Sequence, residues 1–546
     1  MSARTLLERT LGLNFRSPDK PKMAFAHQKT IPRNRLHPSV LESAFFLSLL
    51  CVIALVQVRN EQNFPALQDD EGTYTAQAWA FLSGRGLTHY AYWYDHPPLG
   101  WIQIAIFMWV PHLTPDLLAV QAMRLTMLLP TLATAALIYL LARRLRLPWW
   151  AAGLATTAFG LSPLAVEFHR QVLLDNIAVT WMLLAFLLST SRSRQLWFHF
   201  LAGMCAAISM LTKETMLVVV PAWLVSLWLC SHREIRRYSV PGAIAGCTLI
   251  VLCYPLLAAL KGELLPGIGH DSLWDGIRWQ LIRRAGSGSL FDSASDIRST
   301  LRYWLNRDSV LPIGGLVSAL VLLLSYRYSV HARALAGPAL SIVLLVAVAL
   351  RPGGYLPAMY VIQALPFLSL ALAACAANAV KYLLQKRDNG LSRVLRRSIV
   401  TFLLLGSFAY VAPHWYRGDR TAVLANDNRP YRAAVAWMGH QIHGRRRVRV
   451  VTDDAIWLDL VRAGYRPGTG VIWFNKIDAD PAIAKSLPRG WRDIQYVVSS
   501  PIMRRESLRY PTVRKALMHS APVQVFGSGD NRVEIRRITH LRAMKP

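Results

Sequence analysis

The chain has 546 residues, of which 53% are hydrophobic and only 17% are charged, and its formal net charge at pH 7 is +30. This composition excludes an ordinary soluble enzyme, because so much of the apolar sequence lies in long runs. The positive charge would also suit a nucleic-acid-binding protein, but the basic residues lie between the apolar runs, as in the cytoplasmic loops of membrane proteins. We therefore predict a polytopic α-helical membrane protein that contacts membrane lipids and binds no nucleic acid.

The apolar segments set the predicted domain organisation. Residues 1–40 are basic and polar and show no signal-peptide cleavage site, so we expect them in the cytoplasm. About eleven transmembrane helices follow and form a predicted membrane domain over 41–414. The predicted spans are 41–58, 119–142, 148–166, 172–190, 196–212, 214–230, 240–260, 309–326, 333–350, 356–380 and 397–413.

The segment "LGWIQIAIFMWV" (99–110) decides the predicted topology. It is flanked by Pro97, Pro98 and Pro111 and is too short to cross a bilayer, so we expect an interfacial helix. With that choice the basic loops between spans all face the cytoplasm, as the positive-inside rule requires. The outer loops 59–118 and 261–308 then lie on the opposite face. The arginine-rich composition and the lack of cysteines in the outer loops favour a bacterial inner membrane.

The tail, 415–546, is predicted to be a soluble extracytoplasmic α/β domain. The stretch "RRRVRVVTDDAIWLDLVRAGY" predicts a strand followed by an amphipathic helix, and "DIQYVVSS" and "APVQVFGSGDNRVEIRRI" predict further strands. The domain shows no phosphate-binding glycine loop and no catalytic pattern. We expect it to support the membrane domain or to bind an acceptor, and simple domain folding explains its motifs nearly as well.

The first outer loop opens with an acidic run, "DDEGTYTAQAWAFL", just before a predicted helix. Helical spacing places Asp70, Tyr74 and Gln77 on one face of that helix. A carboxylate near the membrane surface can act as a general base on an acceptor hydroxyl. Acids are also favoured at helix N-termini, so helix capping is the alternative explanation for Asp70 and Glu71.

A second acid lies in "EFHRQVLLDN", where Asp175 stands at the mouth of a predicted span. A carboxylate in that position needs a partner, because an unpaired charge is costly in a bilayer. Arg170, five residues earlier, predicts a structural ion pair. The alternative is a second functional carboxylate that faces Asp70.

Several cations also lie at the outer ends of the predicted spans. Each alone is explained by a long side chain that reaches the membrane surface. Together they indicate a buried anion such as a phosphate, which arginine grips in bidentate fashion and lysine neutralises. These cations are His96, Arg124, Arg170, Lys213 and Arg351.

A carboxylate base beside phosphate-binding cations suggests transfer of a sugar from a lipid-linked phosphate to a hydroxyl. At this point the sequence resembles the membrane glycosyltransferases of the C-type fold (GT-C) that use polyprenyl-phosphate sugars, with protein O-mannosyltransferases and bacterial aminoarabinose transferases as the nearest branches. The resemblance covers roughly residues 41–380. The segments that carry it are "DE" (70–71), "DHPPLGW" (95–101), "MRL" (123–125), "RQVLLDN" (170–176), "LTKE" (211–214) and "RPGGYLPAMYVIQALPFLSL" (351–370).

The resemblance implies a role for each matched position. Asp70 would be the general base, with Glu71 supporting the acceptor or the loop, and Asp175 would be the second acid of the site. Arg124 and the His96 loop would contact the donor phosphate, although aminoarabinose transferases have a lysine where His96 stands. The remaining expected donor-binding residues are Arg170, Lys213, Arg351, Tyr355 and Tyr360.

The implied reaction is a single inverting displacement in which a polyprenyl phosphate leaves and a cell-envelope glycan, lipid or protein hydroxyl accepts the sugar. No cofactor is required, because fixed cations neutralise the leaving group, although the "DDE" run could hold a divalent cation through oxygen ligands. The loop 261–308 is expected to fold over the donor or to be a passive interfacial loop. A transporter or flippase of a lipid-linked anion and a scaffold or receptor anchored by the bundle are the competing functions.

Overall fold

The computed structural model describes residues 40–539 except 93, 192–193, 268–269, 352 and 386–389. Most of the predicted cytoplasmic segment 1–40 therefore lies outside the described residues. By its internal contacts the chain forms a short unit, Met1–Phe45, and a large unit, Phe46–Pro546. The large unit contains both the apolar helices and the C-terminal sheet, so the contacts between them are those of one compact body.

Helices make up the part of the chain before residue 425. They are α1 (Val40–Val58), α2 (Asp69–Leu82), α3 (Leu99–Ala105), α4 (Val110–Leu113), α5 (Ala119–Arg124), α6 (Leu128–Arg144), α7 (Trp149–Gly160), α8 (Pro163–Phe168), α9 (Leu174–Ser189), α10 (Trp197–Thr212), α11 (Val220–Cys230), α12 (Arg236–Val251), α13 (Cys253–Leu260), α14 (Leu273–Arg278), α15 (Asp296–Arg307), α16 (Val310–Leu324), α17 (Val330–Ala334), α18 (Ala336–Ala349), α19 (Val361–Gln385) and α20 (Gly390–Leu424). Single turns of 3₁₀ helix at Leu125–Met127 and Glu214–Val219 lead into α6 and α11.

Judged by helix length and composition, the described part of the chain has fewer candidate membrane spans than the sequence predicts. In the described part of the chain four helical segments are long and apolar enough to cross a membrane, or five if α15 and α16, bent by 102°, count as one. Each of the eleven predicted segments is helical, but several are short: the 14 residues of α18 extend only about 21 Å. The count of eleven spans is therefore not confirmed. The four segments are Val40–Val58, Ala119–Arg144, Arg236–Leu260 and Ala358–Tyr382.

The helices differ in how much of their apolar surface is covered. Helix α9 is buried along most of its length and packs against α6, α10 and α19, which makes it a central element of the bundle. The segment Arg236–Leu260 exposes most of its apolar side chains, as expected for a lipid-facing helix. The predicted interfacial segment 99–110 is broken into α3 and α4.

The C-terminal region is a small α/β domain, as the sequence predicts. Its five-stranded sheet has the order β2-β1-β3-β5-β4, in which β1 runs parallel to both of its neighbours and β5 runs antiparallel to β3 and β4. The strands are β1 (Val450–Thr452), β2 (Val471–Trp473), β3 (Tyr496–Ser499), β4 (Ser520–Phe526) and β5 (Val533–Ile538). The helices of the domain are α21 (Arg429–Gln441), α22 (Trp457–Arg462), α23 (Lys476–Ala479), α24 (Pro481–Ser486), α25 (Pro501–Glu506) and α26 (Pro511–Met518).

The boundary between the two regions lies within a helix. The span expected to end at 413 continues as α20 to Leu424, and Asn428 then begins the soluble domain. The Asn428 side chain donates to the carbonyls of Gln62 and Pro65 and accepts from the backbone N–H of Leu67. These bonds join the start of the C-terminal domain to the loop just before α2.

Candidate active site

The three acids at the start of α2 point into three different environments. Helical geometry rotates successive side chains by about 100° around the axis, so neighbours in sequence do not share a face. Glu71 also caps the helix, because its carboxylate accepts from the Gln68 backbone N–H at 3.3 Å. The capping explanation is therefore correct for Glu71.

Glu71 forms a fully buried ion pair with Arg124. The two carboxylate oxygens accept from Arg124 Nη2 at 2.5 Å and Nε at 2.8 Å, and the Val172 backbone N–H donates to the same carboxylate at 3.0 Å. The remaining Arg124 N–H groups bond to the carbonyls of Glu61, Pro65 and Ala66. All the guanidinium donors thus have protein acceptors, and this pair supports the loop instead of facing a substrate.

Arg170 also lies away from Asp175. Its Nη2 donates to the Val56 carbonyl at 2.6 Å, and the charges nearest to it belong to Glu61 and Asp419. Burial lowers the pKa of Arg170 to about 10, and burial raises the pKa of Glu61 to about 7 against the opposing effect of Arg170. The Asp175–Arg170 ion pair that the sequence suggests is not made by the described side chains, and no hydrogen bond or ion pair joins Arg170 to Lys213 among them.

A cluster of polar groups surrounds the ammonium of Lys213. Its Nζ lies 3.0 Å from His96 Nε2, 4.0 Å from Asp175 Oδ2 and 3.5 Å from the Tyr74 hydroxyl. On the other side of the imidazole, His96 Nδ1 lies 2.9 Å from Glu214 Oε2. We call these residues the Lys213 cluster; they are Asp70, Tyr74, His96, Asp175, Lys213 and Glu214.

The charge of Lys213 is retained although its side chain is buried. Burial disfavours the ammonium, but the carboxylates of Asp175 and Glu214 outweigh that effect and hold the pKa of Lys213 above its usual value. Asp175 is held in turn by Gln363, whose Nε2 donates to Oδ1 at 2.6 Å. The second predicted acid therefore neutralises a lysine across the bundle from α2.

Asp70 differs from the other carboxylates of the cluster. It is half-buried, and its side chain accepts no hydrogen bond from the described residues. Burial and the neighbouring Asp69 raise its pKa, while Lys213, His96 and Arg284 lower it. A partly desolvated carboxylate with free lone pairs beside three cationic or polar groups is placed to accept a proton.

Arg284, from the long loop 261–308, supplies a cation that was not among the residues predicted from the sequence. Its guanidinium carbon lies 3.6 Å from the centre of the Tyr355 ring, and its Nη1 donates to Gln280 at 2.8 Å. Tyr355 in turn contacts Tyr360 edge-to-face at 6.2 Å between ring centres. Only the position of Arg284 just before "GSGS" distinguishes it in the sequence from other arginines of the loop.

The loop is fastened to the segment that follows α18. The Ser287 N–H donates to the Gly354 carbonyl at 2.8 Å, and the Leu356 N–H donates to Ser287 Oγ at 3.0 Å. Gly286 lies so close to Gly353 that a Cβ at 286 would be 2.2 Å from its carbonyl oxygen. By contrast Arg351 is exposed, and no hydrogen bond or ion pair joins its side chain to the described part of the cluster.

The C-terminal domain packs directly against the back of α2. A Cβ at Gly72 would lie 2.2 Å from the backbone of Asp454, and Thr73 Oγ1 donates to Asp454 Oδ2 at 2.5 Å. About two turns further on, Trp79 meets Trp457 with ring centres 5.8 Å apart. The helix that carries Asp70 is therefore held between the bundle and the soluble domain.

The "DDE" run is the segment that the sequence offers as a possible divalent-cation site. No group of three or more His, Cys, Asp or Glu side chains in the described ranges is placed to hold a metal ion. Asp69 instead faces Asp453 and Glu506, and burial with the repulsion of these acids raises its pKa to about 6.

Part of the chain resembles a known protein family. A family model described as dolichyl-phosphate-mannose-protein mannosyltransferase matches residues 95–258. No curated protein sequence matches the chain.

Several solved structures share the fold. ArnT from Cupriavidus metallidurans bound to undecaprenyl phosphate is 14% identical, with a TM-score of 0.57, and the match covers 91% of this chain and 98% of that one. The Archaeoglobus fulgidus oligosaccharyltransferase is 13% identical, with a TM-score of 0.53 and 92% and 76% coverage. The mycobacterial arabinofuranosyltransferase AftD is 15% identical, with a TM-score of 0.50 and 92% and 40% coverage.

These likenesses establish the fold, which is that of the C-type glycosyltransferases, in a multi-pass membrane protein. The resemblance inferred from the sequence is confirmed at that level. Within this fold the structure brings together Asp70, His96, Asp175, Lys213, Tyr355 and Tyr360 of the predicted site, and it places Glu71, Arg124, Arg170 and Arg351 outside it.

Proposed function

We propose that this protein is a membrane glycosyltransferase that moves a sugar from a polyprenyl-phosphate donor to a hydroxyl acceptor. The observation that carries the proposal is Asp70, a half-buried carboxylate that accepts no hydrogen bond from the described residues and whose pKa is raised by the larger effect of burial against the lowering effect of the charges of Lys213, His96 and Arg284. A base and two cations on one side of the bundle match a reaction in which a hydroxyl loses a proton and a phosphate leaves. The shared fold supports the same reaction class.

The donor phosphate would lie between Lys213 and Arg284. Lysine supplies a compact charge and arginine a planar fork, and both strengthen as the phosphate gains charge while the bond to the sugar breaks. Tyr355 holds the guanidinium of Arg284 by stacking, and Tyr360 stands beside it. The solved ArnT structure holds undecaprenyl phosphate, and that of AglB from Archaeoglobus fulgidus holds dolichol-phosphate, which supports a lipid phosphate as the leaving group.

The chemical step would be a single displacement with inversion. Asp70 takes the proton of the acceptor hydroxyl as its oxygen forms a bond to the anomeric carbon. The bond from that carbon to the phosphate oxygen breaks, and its electron pair stays on the leaving polyprenyl phosphate. Lys213 and Arg284 stabilise the resulting charge, and Asp175 acts by holding Lys213 in place.

The site would face the outer side of a bacterial plasma membrane. The basic loops between the helices are then cytoplasmic, which follows the positive-inside rule. The C-terminal domain lies on the side of the Lys213 cluster, since Lys476 donates to the Tyr92 carbonyl at 3.3 Å and Asp454 contacts α2. An acceptor glycan, lipid or protein would reach Asp70 from that side.

The test is sugar transfer by the purified protein in detergent. A panel of radiolabelled polyprenyl-phosphate sugars, beginning with mannose because of the matching family model, is offered with membrane-extracted acceptors. We expect transfer by the wild type and at least a 100-fold loss in Asp70→Asn, since a positioned general base contributes roughly 10²–10⁴-fold. Equal transfer by both proteins would refute the assignment of the base. Donor binding without transfer across the panel would instead favour a transporter.

The pH dependence of kcat is a second test of the role of Asp70. Asp70 must be deprotonated to act as a base, and its pKa is raised in the folded protein. We therefore expect kcat to fall as the pH is lowered, starting above the range near 3.9 in which an ordinary aspartate is protonated. A rate that stays constant until the pH reaches the range near 3.9 would contradict the raised pKa.

A further inference from the structure

The His96 imidazole lies between the carboxylate of Glu214 and the ammonium of Lys213, two residues that are neighbours in sequence. Its Nδ1 is 2.9 Å from Glu214 Oε2 and its Nε2 is 3.0 Å from Lys213 Nζ, so both ring nitrogens have a partner. The imidazole is buried, and the Tyr74 ring lies 6.0 Å away between ring centres. The sequence resemblance places His96 against the donor phosphate, but both of its polar atoms are already used within the protein.

The partners determine where the imidazole carries its proton. A lysine ammonium has three donors and no acceptor, so the hydrogen bond to Lys213 requires an unprotonated Nε2. The carboxylate of Glu214 accepts only, so the proton is on Nδ1. The raised pKa of Lys213 is consistent with an ammonium at this position. The geometry therefore describes a neutral imidazole with an Nδ1–H.

We infer that His96 is a positioning residue, a neutral hydrogen-bond acceptor that fixes the ammonium of Lys213, and not a second cation on the donor phosphate. This inference rests on the proposed function, because the purpose of fixing Lys213 is to aim it at the leaving phosphate. Glu214 keeps the imidazole in the required tautomer. Besides His96, the ammonium of Lys213 has the Tyr74 hydroxyl at 3.5 Å and Asp175 Oδ2 at 4.0 Å, so His96 at 3.0 Å is the shortest of these contacts.

The charges around His96 explain why a neutral ring suits the position. Lys213 faces it from the turn after α10, and Glu214 from the start of the next helical segment. The carboxyls of Asp70, Asp95 and Asp175 and the Tyr74 hydroxyl complete its surroundings. A second cation beside the ammonium would repel it and displace it from Asp175.

Two substitutions separate an acceptor from a cation. In His96→Gln the amide oxygen can accept from Lys213 while the amide N–H donates to Glu214, so transfer should stay within a few-fold of wild type, with KM for the donor little changed. His96→Lys places a second ammonium against Lys213, and we expect kcat/KM to fall roughly 10- to 100-fold, the size expected when a hydrogen bond to a charged group is lost. Thermal unfolding in detergent checks that both variants are folded.

Each other outcome would overturn the inference. Activity in His96→Lys with loss in His96→Gln would make His96 a phosphate-binding cation. Loss in both folded variants would mean that an acceptor is not sufficient, and full activity in both would mean that it is not needed.

The tautomer can be measured without any sugar transfer, so its result is independent of the proposed function. Solid-state ¹⁵N spectra of histidine-labelled wild type and His96→Gln identify the His96 signals by difference. We expect one protonated nitrogen and one unprotonated nitrogen, assigned to Nδ1 and Nε2. Two protonated nitrogens in the wild type would refute the neutral acceptor even if transfer is never observed.

Discussion

Replacing Glu71 by glutamine separates two adjacent acids that have opposite expected roles. The Glu71 carboxylate is fully buried and accepts from Arg124 at 2.5 and 2.8 Å, from Val172 N–H at 3.0 Å and from Gln68 N–H at 3.3 Å. An amide of the same size removes the negative charge and turns one acceptor into a donor that faces other donors. The guanidinium of Arg124 is then left as a buried charge with only neutral acceptors, one amide oxygen and the backbone carbonyls of Glu61, Pro65 and Ala66.

The cost follows from the burial of the pair. Breaking a buried ion pair by removing one partner destabilises a protein by about 3–5 kcal/mol, because the remaining charge stays desolvated. We expect a loss of that size in the free energy of unfolding of Glu71→Gln. Asp70→Asn should cost little, because its carboxylate accepts no hydrogen bond from the described residues and its charge is already disfavoured by burial.

The assay is unfolding of the purified protein in mixed micelles, titrated with a denaturing detergent and followed by tryptophan fluorescence, beside sugar transfer at a temperature where each variant is folded. We expect Glu71→Gln to lose stability and to keep transfer when folded, and Asp70→Asn to keep stability and lose transfer. A double variant, Glu71→Met with Arg124→Met, should recover part of the lost stability because no unpaired charge remains. A fully stable Glu71→Gln protein without transfer would show that Glu71 acts on the substrate.

The remaining predictions concern the contact with the C-terminal domain and the cation from the outer loop. Gly72→Ala should lower kcat and the melting temperature, because its Cβ would lie 2.2 Å from the Asp454 backbone and displace the helix that carries the base. Gly439→Ala is the control and should change neither, because there is open space around Gly439. Equal effects of the two variants on transfer and melting would contradict this prediction. Arg284→Gln should reduce kcat/KM roughly 10- to 100-fold, as expected for a lost charge-assisted hydrogen bond, while the exposed Arg351→Gln should leave it unchanged in steady-state kinetics with varied donor. A larger effect at Arg351 than at Arg284 would restore the position that the sequence resemblance suggests.

The predicted site and the Lys213 cluster agree for residues whose position at the end of an apolar segment determines their depth in the helical bundle. Asp175 and Lys213 stand at the ends of apolar segments, and His96 stands before a pair of prolines that starts a new segment. Residues at the ends of neighbouring helices on one side of a bundle lie near one another, so the sequence was enough to predict that these three residues converge. The apolar segments could be identified from their composition, but helix length alone did not show how many of them span the membrane.

The predicted and observed contacts disagree where a side chain can pair either with a residue close in sequence or with one from a distant helix. Arg170 is close to Asp175 in sequence but bonds to the Val56 carbonyl, while Asp175 is held by Gln363, 188 positions away in the chain. Local spacing favours the nearer pair, but the turn between α8 and α9 directs the two side chains apart. Only the packing of distant helices decides which polar groups meet.

The sequence by itself determined that this is a helical membrane protein with a soluble α/β tail and with polar residues gathered at one end of its apolar segments. Composition and hydrophobic length carry that information, because each apolar run must avoid water whatever it packs against. Only the tertiary structure decided that Glu71 points inward to Arg124, 53 positions away, while its neighbour Asp70 faces Lys213 and Arg284. The physical reason is that a helix turns adjacent side chains to different faces, and the elements that pack on each face, brought from far along the chain, set whether a carboxylate is bound in an ion pair or left free to react.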